Sequence, residues 1–279
     1  MTVDEKKDMS LKGKNLGLRT VSGAVLGVVV VGSVLLGSWA TAIVATLICV
    51  GAMTELFELA TGRMPEVVPP YLLTLCLGAG WIVGVALNPS PLMLLVGLLF
   101  VPFIFIYEVF RKSTTTLGNT AVASLMLLYI ALPLALLMLI GGGTGEWEPA
   151  RVLMVVFTVW VNDIFAYLVG CSIGKHKMCP TISPKKSWEG LFGGLLFAVA
   201  FAMVFGYFME GNIVLWGGLG LVIALAGVVG DLLESKIKRE CGVKDSGTII
   251  PGHGGVLDRF DALLLAAPVA YVYMLIFGL

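Results

Sequence analysis

Residues 212–231 read Asn212-Ile213-Val214-Leu215-Trp216-Gly217-Gly218-Leu219-Gly220-Leu221-Val222-Ile223-Ala224-Leu225-Ala226-Gly227-Val228-Val229-Gly230-Asp231. Only the last residue is charged. About 18 to 20 such residues suffice to carry an α-helix across a bilayer, and a carboxylate at the end marks where the apolar stretch stops. The pattern recurs outward along the chain, with apolar segments at about 21–37, 40–60, 69–88, 91–110, 119–141, 151–172, 190–209, 212–231 and 261–279. Composition agrees. The 279 residues are 58% hydrophobic and 13% charged, with a mean hydropathy of +0.98, whereas a soluble domain is about half apolar and a quarter charged. The expected fold is an all-α polytopic membrane protein of about nine transmembrane helices.

Charge placement supplies an orientation. With nine spans, one face receives residues 1–20, 61–68, 111–118, 173–189 and 232–260, which together hold 17 of the 18 Lys and Arg residues, and the other face receives Arg151. Because loops rich in Lys and Arg stay cytoplasmic, the N-terminus is expected in the cytoplasm and the C-terminus on the far side. The first two spans meet at Gly37-Ser38-Trp39 as a tight hairpin, and the third and fourth meet at Asn88-Pro89-Ser90-Pro91. Three regions follow: a cytoplasmic or interfacial segment 1–20, an N-terminal transmembrane region 21–150 of about five spans, and a catalytic region 151–279 of about four spans with cytoplasmic loops 173–189 and 232–260. Residues 1–19 mix acids and bases without an apolar core, so no cleavable signal peptide is expected. The cysteines (Cys49, Cys76, Cys171, Cys179 and Cys241) form no CxxC pair, and no disulfide or zinc site is expected.

The segment Gly230 to Asp261 holds eleven of the thirty-six charged residues. Asp231 closes the eighth span, Asp258 and Asp261 open the ninth three residues apart, and Asp163 lies inside the sixth. Acids within spans are costly and tend to mark ligand or ion sites. Carboxylates gathered from several helices suit a hard cation such as Mg²⁺, held by a few carboxylates together with substrate phosphates. Glu55, Glu58 and Glu108 sit near cytoplasmic span ends, where a solvated or snorkelling role is expected. Asp231, Glu234, Ser235 and Lys238 fall on one helical stripe.

Bases surround these acids. Lys236, Lys238, Arg239, Lys244 and Arg259 share the segment, and Pro251-Gly252-His253-Gly254-Gly255 allows close approach of backbone to a ligand. The spacing is not that of a P-loop, which excludes that nucleotide fold. A second cluster, Ser183-Pro184-Lys185-Lys186-Ser187-Trp188-Glu189-Gly190, is read as lying at the start of a helix, where free N–H groups and the helix dipole favour phosphate.

Ser235-Lys236-Ile237-Lys238-Arg239, then Lys244-Asp245-Ser246-Gly247, then Pro251-Gly252-His253-Gly254-Gly255-Val256-Leu257-Asp258-Arg259-Phe260-Asp261, resembles the signature of the phosphatidate cytidylyltransferase (CDP-diacylglycerol synthase) family. Ser183 to Gly190 resembles a second motif of that family, with Ser187 where Thr is common, and Asn162-Asp163 to Gly170 a third. The resemblance covers roughly 155–270. It implies an integral-membrane nucleotidyltransferase that condenses CTP with phosphatidate, giving CDP-diacylglycerol and pyrophosphate with Mg²⁺ and a second cation left open. By that reading Asp231, Asp258 and Asp261, joined by Asp163, hold metal; Lys238, Arg239, Lys244 and Arg259 neutralise phosphate charge; and Ser183, Lys185, Lys186, Ser187, Ser235, His253, Gly254 and Gly255 bind substrate phosphate.

Two alternatives stay open at this level: a CTP-dependent transferase acting on an ether lipid or a polyprenol, and an ion-coupled transporter. The clustering of the acids near one face, with no internal repeat, disfavours transport. The absence of an Asp-Gly-x-x-Ala-Arg-type motif disfavours a phosphatidyltransferase that consumes CDP-diacylglycerol. Membrane lipid is an expected partner and nucleic acid is not. Glycine-rich spans permit close helix contact within one chain or between copies, so a homo-oligomer stays open.

Overall fold

A computed structural model describes residues 3–142, 146–252 and 254–279, with side chains from Thr20 onward. The chain folds as α1 (Val3–Leu36), α2 (Ser38–Arg63), α3 (Tyr71–Leu87), α4 (Pro91–Leu98), α5 (Phe100–Phe110), α6 (Thr116–Leu125), a π-helical turn (Met126–Ala131), α7 (Leu132–Gly142), α8 (Pro149–Ile173), the strands β1 (Lys177–Cys179) and β2 (Ser183–Ser187), α9 (Trp188–Phe208), α10 (Ile213–Glu240) and α11 (Leu257–Phe277). Seven of the described helical stretches are long and apolar enough to cross a membrane, among them α2, α8, α9, α10 and α11. Thr20–Leu36 and Tyr71–Leu87 are shorter apolar helices. At about 1.5 Å per residue each spans roughly 26 Å, just short of a hydrocarbon core of about 30 Å. The protein is an integral membrane protein.

The core divides into two clusters that share α11. One packs α2 and α3 around the π-turn and α7, with Met53, Trp81, Leu127, Ile130 and Leu264 at its centre. The other packs α8, α10 and α11 with the end of α1, through Val155, Val159, Ile223, Phe260 and Ala266. Gly37, at φ 118°, makes the α1–α2 turn in backbone space that favours glycine. The π-turn sits just ahead of Pro133, whose ring cannot join a regular helical ladder.

Three expectations about boundaries give way. α10 runs to Glu240, one helix from bilayer to polar surface, so Lys236, Lys238 and Arg239 ride on a helix and not in a loop. The stripe of Asp231, Glu234, Ser235 and Lys238 at helical spacing is the physical reason. α11 begins at Leu257, so Asp258 and Asp261 lie in its first turns and the connecting loop shrinks to 241–256. The segment Ser183–Ser187 is not a helix start: it forms a strand antiparallel to Lys177–Cys179, with Lys177 opposite Ser187. Pro184 keeps the residue before it extended, and the helix begins at Trp188 with Ser187 as its N-cap, accepting from Gly190 N at 3.2 Å.

α10 and α11 approach backbone to backbone where the acids are. A Cβ at Gly230 would lie 2.5 Å from the Asp261 carbonyl oxygen, so that approach is open to glycine alone. Gly230→Ala should lower stability by about 1–3 kcal/mol, the usual cost of overpacking. A thermal-unfolding midpoint in detergent equal to that of the parent would show that the two helices have room to move apart.

Candidate active site

A cavity of about 1070 Å³ opens among the ends of α8, α10 and α11, β2 and the start of α9, with α1 along one side. Its polar lining brings together Asp163, Lys185, Lys186, Ser187, Asp231, Lys238, Asp258, Arg259 and Asp261, which sequence alone scattered over a hundred residues. Apolar lining comes from Leu26, Trp160, Leu191 and Val228. One chamber thus has a wall of carboxylates, a rim of bases and an apolar flank.

The carboxylates differ in what already holds them. Asp231 pairs with Lys186 Nζ at 2.7 Å and accepts from Ser235 Oγ at 3.2 Å. Asp163 accepts from Asn162 Nδ2 at 3.3 Å. Asp261, among the described residues, accepts only the neighbouring Ala262 N–H, at 2.7 Å, and feels the like charges of Asp231, Glu234 and Asp163. Asp258 is fully engaged: Oδ2 accepts from Ser246 N at 2.9 Å and Gly255 N at 2.8 Å, while Oδ1 meets the Lys238 ammonium. Lys238 in turn also pairs with buried Glu234. The Lys238 charge, read from sequence as neutralising substrate phosphate, is therefore balanced by two carboxylates within the protein.

The remaining expected residues that the structure describes stand apart from the cavity lining. Arg239 is exposed and donates to Val243 O at 2.9 Å. Lys244 is exposed and Ser183 is half-buried on β2. Gly254, at φ 88°, lies against Asp258: a Cβ there would come within 2.7 Å of Asp258 Oδ2. Gly254 thus makes room for that carboxylate, whereas a Cβ at Gly255 would meet Ser246 Oγ and Glu55 Oε2. His253 lies outside the described residues. Among the described residues, no three Asp, Glu, His or Cys side chains converge as a ready-made metal cage. An all-oxygen set facing one chamber still suits a hard cation that completes its shell with phosphate and water, because Mg²⁺ is usually held by only one or two carboxylates.

Sequence reasoning missed several members. Asp245, quoted within the signature but given no role, lines the cavity. Tyr129, on the π-turn, is buried with its hydroxyl unpartnered among the described residues and lies within electrostatic reach of Asp261, Glu234 and Asp231; nothing in the apolar run around it signals this. π-helical turns often accompany functional sites. Glu55 and Glu108, expected to be solvated, are each only 1% exposed. Glu108 accepts from Asn119 Nδ2 at 2.5 Å and pairs with Arg111. Glu55 accepts from the loop before α11. Glu58 is exposed as expected. An acid at a helix end looks the same in sequence whether it faces water or a neighbouring loop.

Comparison with known proteins gives the chain named relatives. The chain is 44% identical over 126 residues to a phosphatidate cytidylyltransferase of Staphylococcus aureus (strain COL), covering 44% of this chain and 48% of that protein. The same-named proteins of Staphylococcus saprophyticus and Staphylococcus epidermidis (strain ATCC 35984) match over equal lengths at 44% and 42% identity. The chain thus aligns with about half the length of the curated relatives it matches. A family model described as the cytidylyltransferase family matches residues 17–277, and since that is nearly the whole sequence, the chain belongs to the cytidylyltransferase family.

Proposed function

We propose that this protein is a phosphatidate cytidylyltransferase, condensing CTP with phosphatidate to give CDP-diacylglycerol and pyrophosphate. The observation that carries the reading is the single chamber in which Asp163, Asp231, Asp258 and Asp261 face Lys185, Lys186 and Arg259 beside an apolar flank. A nucleoside triphosphate needs cations, and a lipid phosphate needs both a polar head site and an apolar approach. The names of the staphylococcal relatives point the same way. The chain crosses the membrane nine times with its N-terminus in the cytoplasm, on the strength of the Lys and Arg asymmetry, which puts the chamber at the cytoplasmic face where CTP is found. Residues 151–279 form the catalytic region, and residues 21–150 pack against it.

An oxygen of the lipid phosphate attacks the α-phosphorus of CTP. The new O–P bond forms as the bond from that phosphorus to the bridging oxygen breaks, and pyrophosphate leaves with the electron pair. The attacking oxygen is already anionic near neutral pH, so no protein nucleophile or general base is required. Catalysis is mainly positioning and charge neutralisation, as in other phosphoryl transfers. Lys185, Lys186 and Arg259 supply positive charge to the phosphates, and Ser187 fixes the start of α9 against them. Asp231, Asp261 and Asp163 are the residues placed to hold Mg²⁺, and Asp258 supports them through the Lys238 pair. When bound, the cation offsets the charge that gathers on the phosphate oxygens.

Purified protein given CTP, Mg²⁺ and phosphatidate should form CDP-diacylglycerol. Replacing CTP by ATP should leave little product, and EDTA should stop the reaction. Absence of product from folded protein, or turnover that survives EDTA, would overturn the reading or its metal, respectively.

A further inference from the structure

Among the described residues, the N-terminal transmembrane region has no cavity residue beyond α1, yet one of its carboxylates reaches the site's central loop. Glu55, on α2, is separated from its partners by about two hundred residues. Oε1 accepts from Val256 N at 2.8 Å, and Oε2 accepts from Leu257 N at 2.8 Å and from Ser246 Oγ at 2.9 Å. Those N–H groups open α11, whose own N-cap residue, Val256, gives no side-chain cap. Exposed first-turn N–H groups must find acceptors, and a carboxylate there also meets the positive end of the helix dipole. Glu55 is the cap of α11, delivered from another helix.

The fit is close enough to dictate the loop's sequence. A Cβ at Gly247 would lie 2.6 Å from Glu55 Oε1, and one at Gly255 would lie 2.4 Å from Oε2. Two further contacts from α2 hold the same segment: Arg63 Nε donates to Glu240 O at 3.2 Å, and Cys241 Sγ donates to Leu59 O at 3.6 Å. The two groups that Asp258 Oδ2 accepts from, Ser246 N and Gly255 N, belong to the residue bonded by Glu55 and the one just before Val256. Glu55 and Asp258 thus both hold one loop, and Asp245 in that loop lines the cavity.

We infer that Glu55 is a positioning residue of the reaction, which sets Asp258 and Asp245 in the chamber by fixing Ser246, Gly255, Val256 and Leu257. The inference rests on the chamber being the cytidylyltransferase site proposed above. Glu55→Gln keeps size and shape but replaces one carboxylate oxygen by an N–H₂ group. Ser246 can turn to accept from it; a backbone N–H of Val256 or Leu257 cannot, and is left facing a donor. The expected result is that kcat falls and the Mg²⁺ concentration for half-maximal rate rises, each by about 10–100-fold, the usual effect of losing a partner that orients a metal-site group. The KM for phosphatidate should stay within about twofold by the same logic, since nothing that Glu55 touches lies on the apolar flank. Glu58→Gln, on the exposed side of α2, is the neutral control.

Hydrogen exchange on the same purified variants reads the loop directly, without activity: amides of residues 246–257 should exchange faster in Glu55→Gln than in the parent and the control. If the parent enzyme makes CDP-diacylglycerol and Glu55→Gln matches it in kcat and Mg²⁺ dependence, the inference is overturned while the proposed function stands. Unchanged exchange in 246–257 overturns it as well. If Glu55→Gln unfolds in detergent, Ser246→Ala, which removes one of the three bonds, should still raise the Mg²⁺ requirement, and failure to do so counts against the inference. A folded parent that makes no product instead overturns the proposed function, and the exchange result then reports only whether Glu55 holds the loop.

Discussion

Asp261→Asn should abolish turnover and at the same time make the protein harder to unfold. The two halves share one cause. Asp261 sits in the second turn of α11 with a single hydrogen bond among the described residues, from its neighbour's N–H, while Asp231, Glu234 and Asp163 crowd it with like charge. Such a group costs stability in the empty protein and yields its benefit only when cations arrive with substrate. The amide is nearly the same size, removes the repulsion and cannot replace the anionic ligand. A loss of at least 10²–10³-fold in kcat is expected, the order seen when one fixed electrostatic contact to the transition state is removed. A gain of about 1 kcal/mol would raise the midpoint of thermal unfolding by roughly 2–4 °C in a chain of this size. Asp231→Asn makes the contrast. It should also abolish turnover, but it breaks the pair with Lys186 and so should bring no gain in stability. The pair of measurements is a CDP-diacylglycerol assay and an unfolding scan in detergent on each variant. An Asp261→Asn protein that loses activity and stability together would place that carboxylate in the fold and not in the chemistry.

Much of this arrangement is legible in the sequence, for reasons that particular residues make plain. Long apolar runs separated by Lys and Arg leave few foldings open, and an acid such as Asp163 within such a run announces a site because the membrane penalises it. The charge of Gly230 to Asp261 identifies the main loop. What was not legible depends on partners distant in the chain. Lys238 reads as a substrate-facing base until Glu234 and Asp258 are seen on either side of it. Glu55 reads as a surface acid until the loop 246–257 closes over it. Ser183 to Ser187 has the composition of a helix start, but its pairing with Lys177–Cys179 makes it a strand. Spacing along a helix reveals which residues share a face; it does not reveal what that face meets.

The second large effect concerns stability. Lys238 is 8% exposed, and its ammonium lies between Glu234, 1% exposed, and Asp258. Lys238→Met keeps the length of the side chain and removes the charge, leaving two inward-facing carboxylates with no cation. Removing one partner of a buried pair costs about 3–5 kcal/mol, because the charge left behind is uncompensated. The Lys238→Met protein should therefore unfold far below the parent and lose activity with its structure. Glu234→Gln should be much milder, since Lys238 keeps Asp258. The double variant Lys238→Met with Glu234→Gln should recover part of the loss, and the departure from additivity measures the coupling. Lys238→Arg is a sharper probe of geometry, because a planar fork does not fit the place of a compact ammonium. If Lys238 were instead a phosphate ligand held free for substrate, Lys238→Met would lower kcat/KM for CTP and leave the unfolding midpoint where it was. The buried geometry predicts the opposite order, with the loss of stability coming first and dragging activity after it.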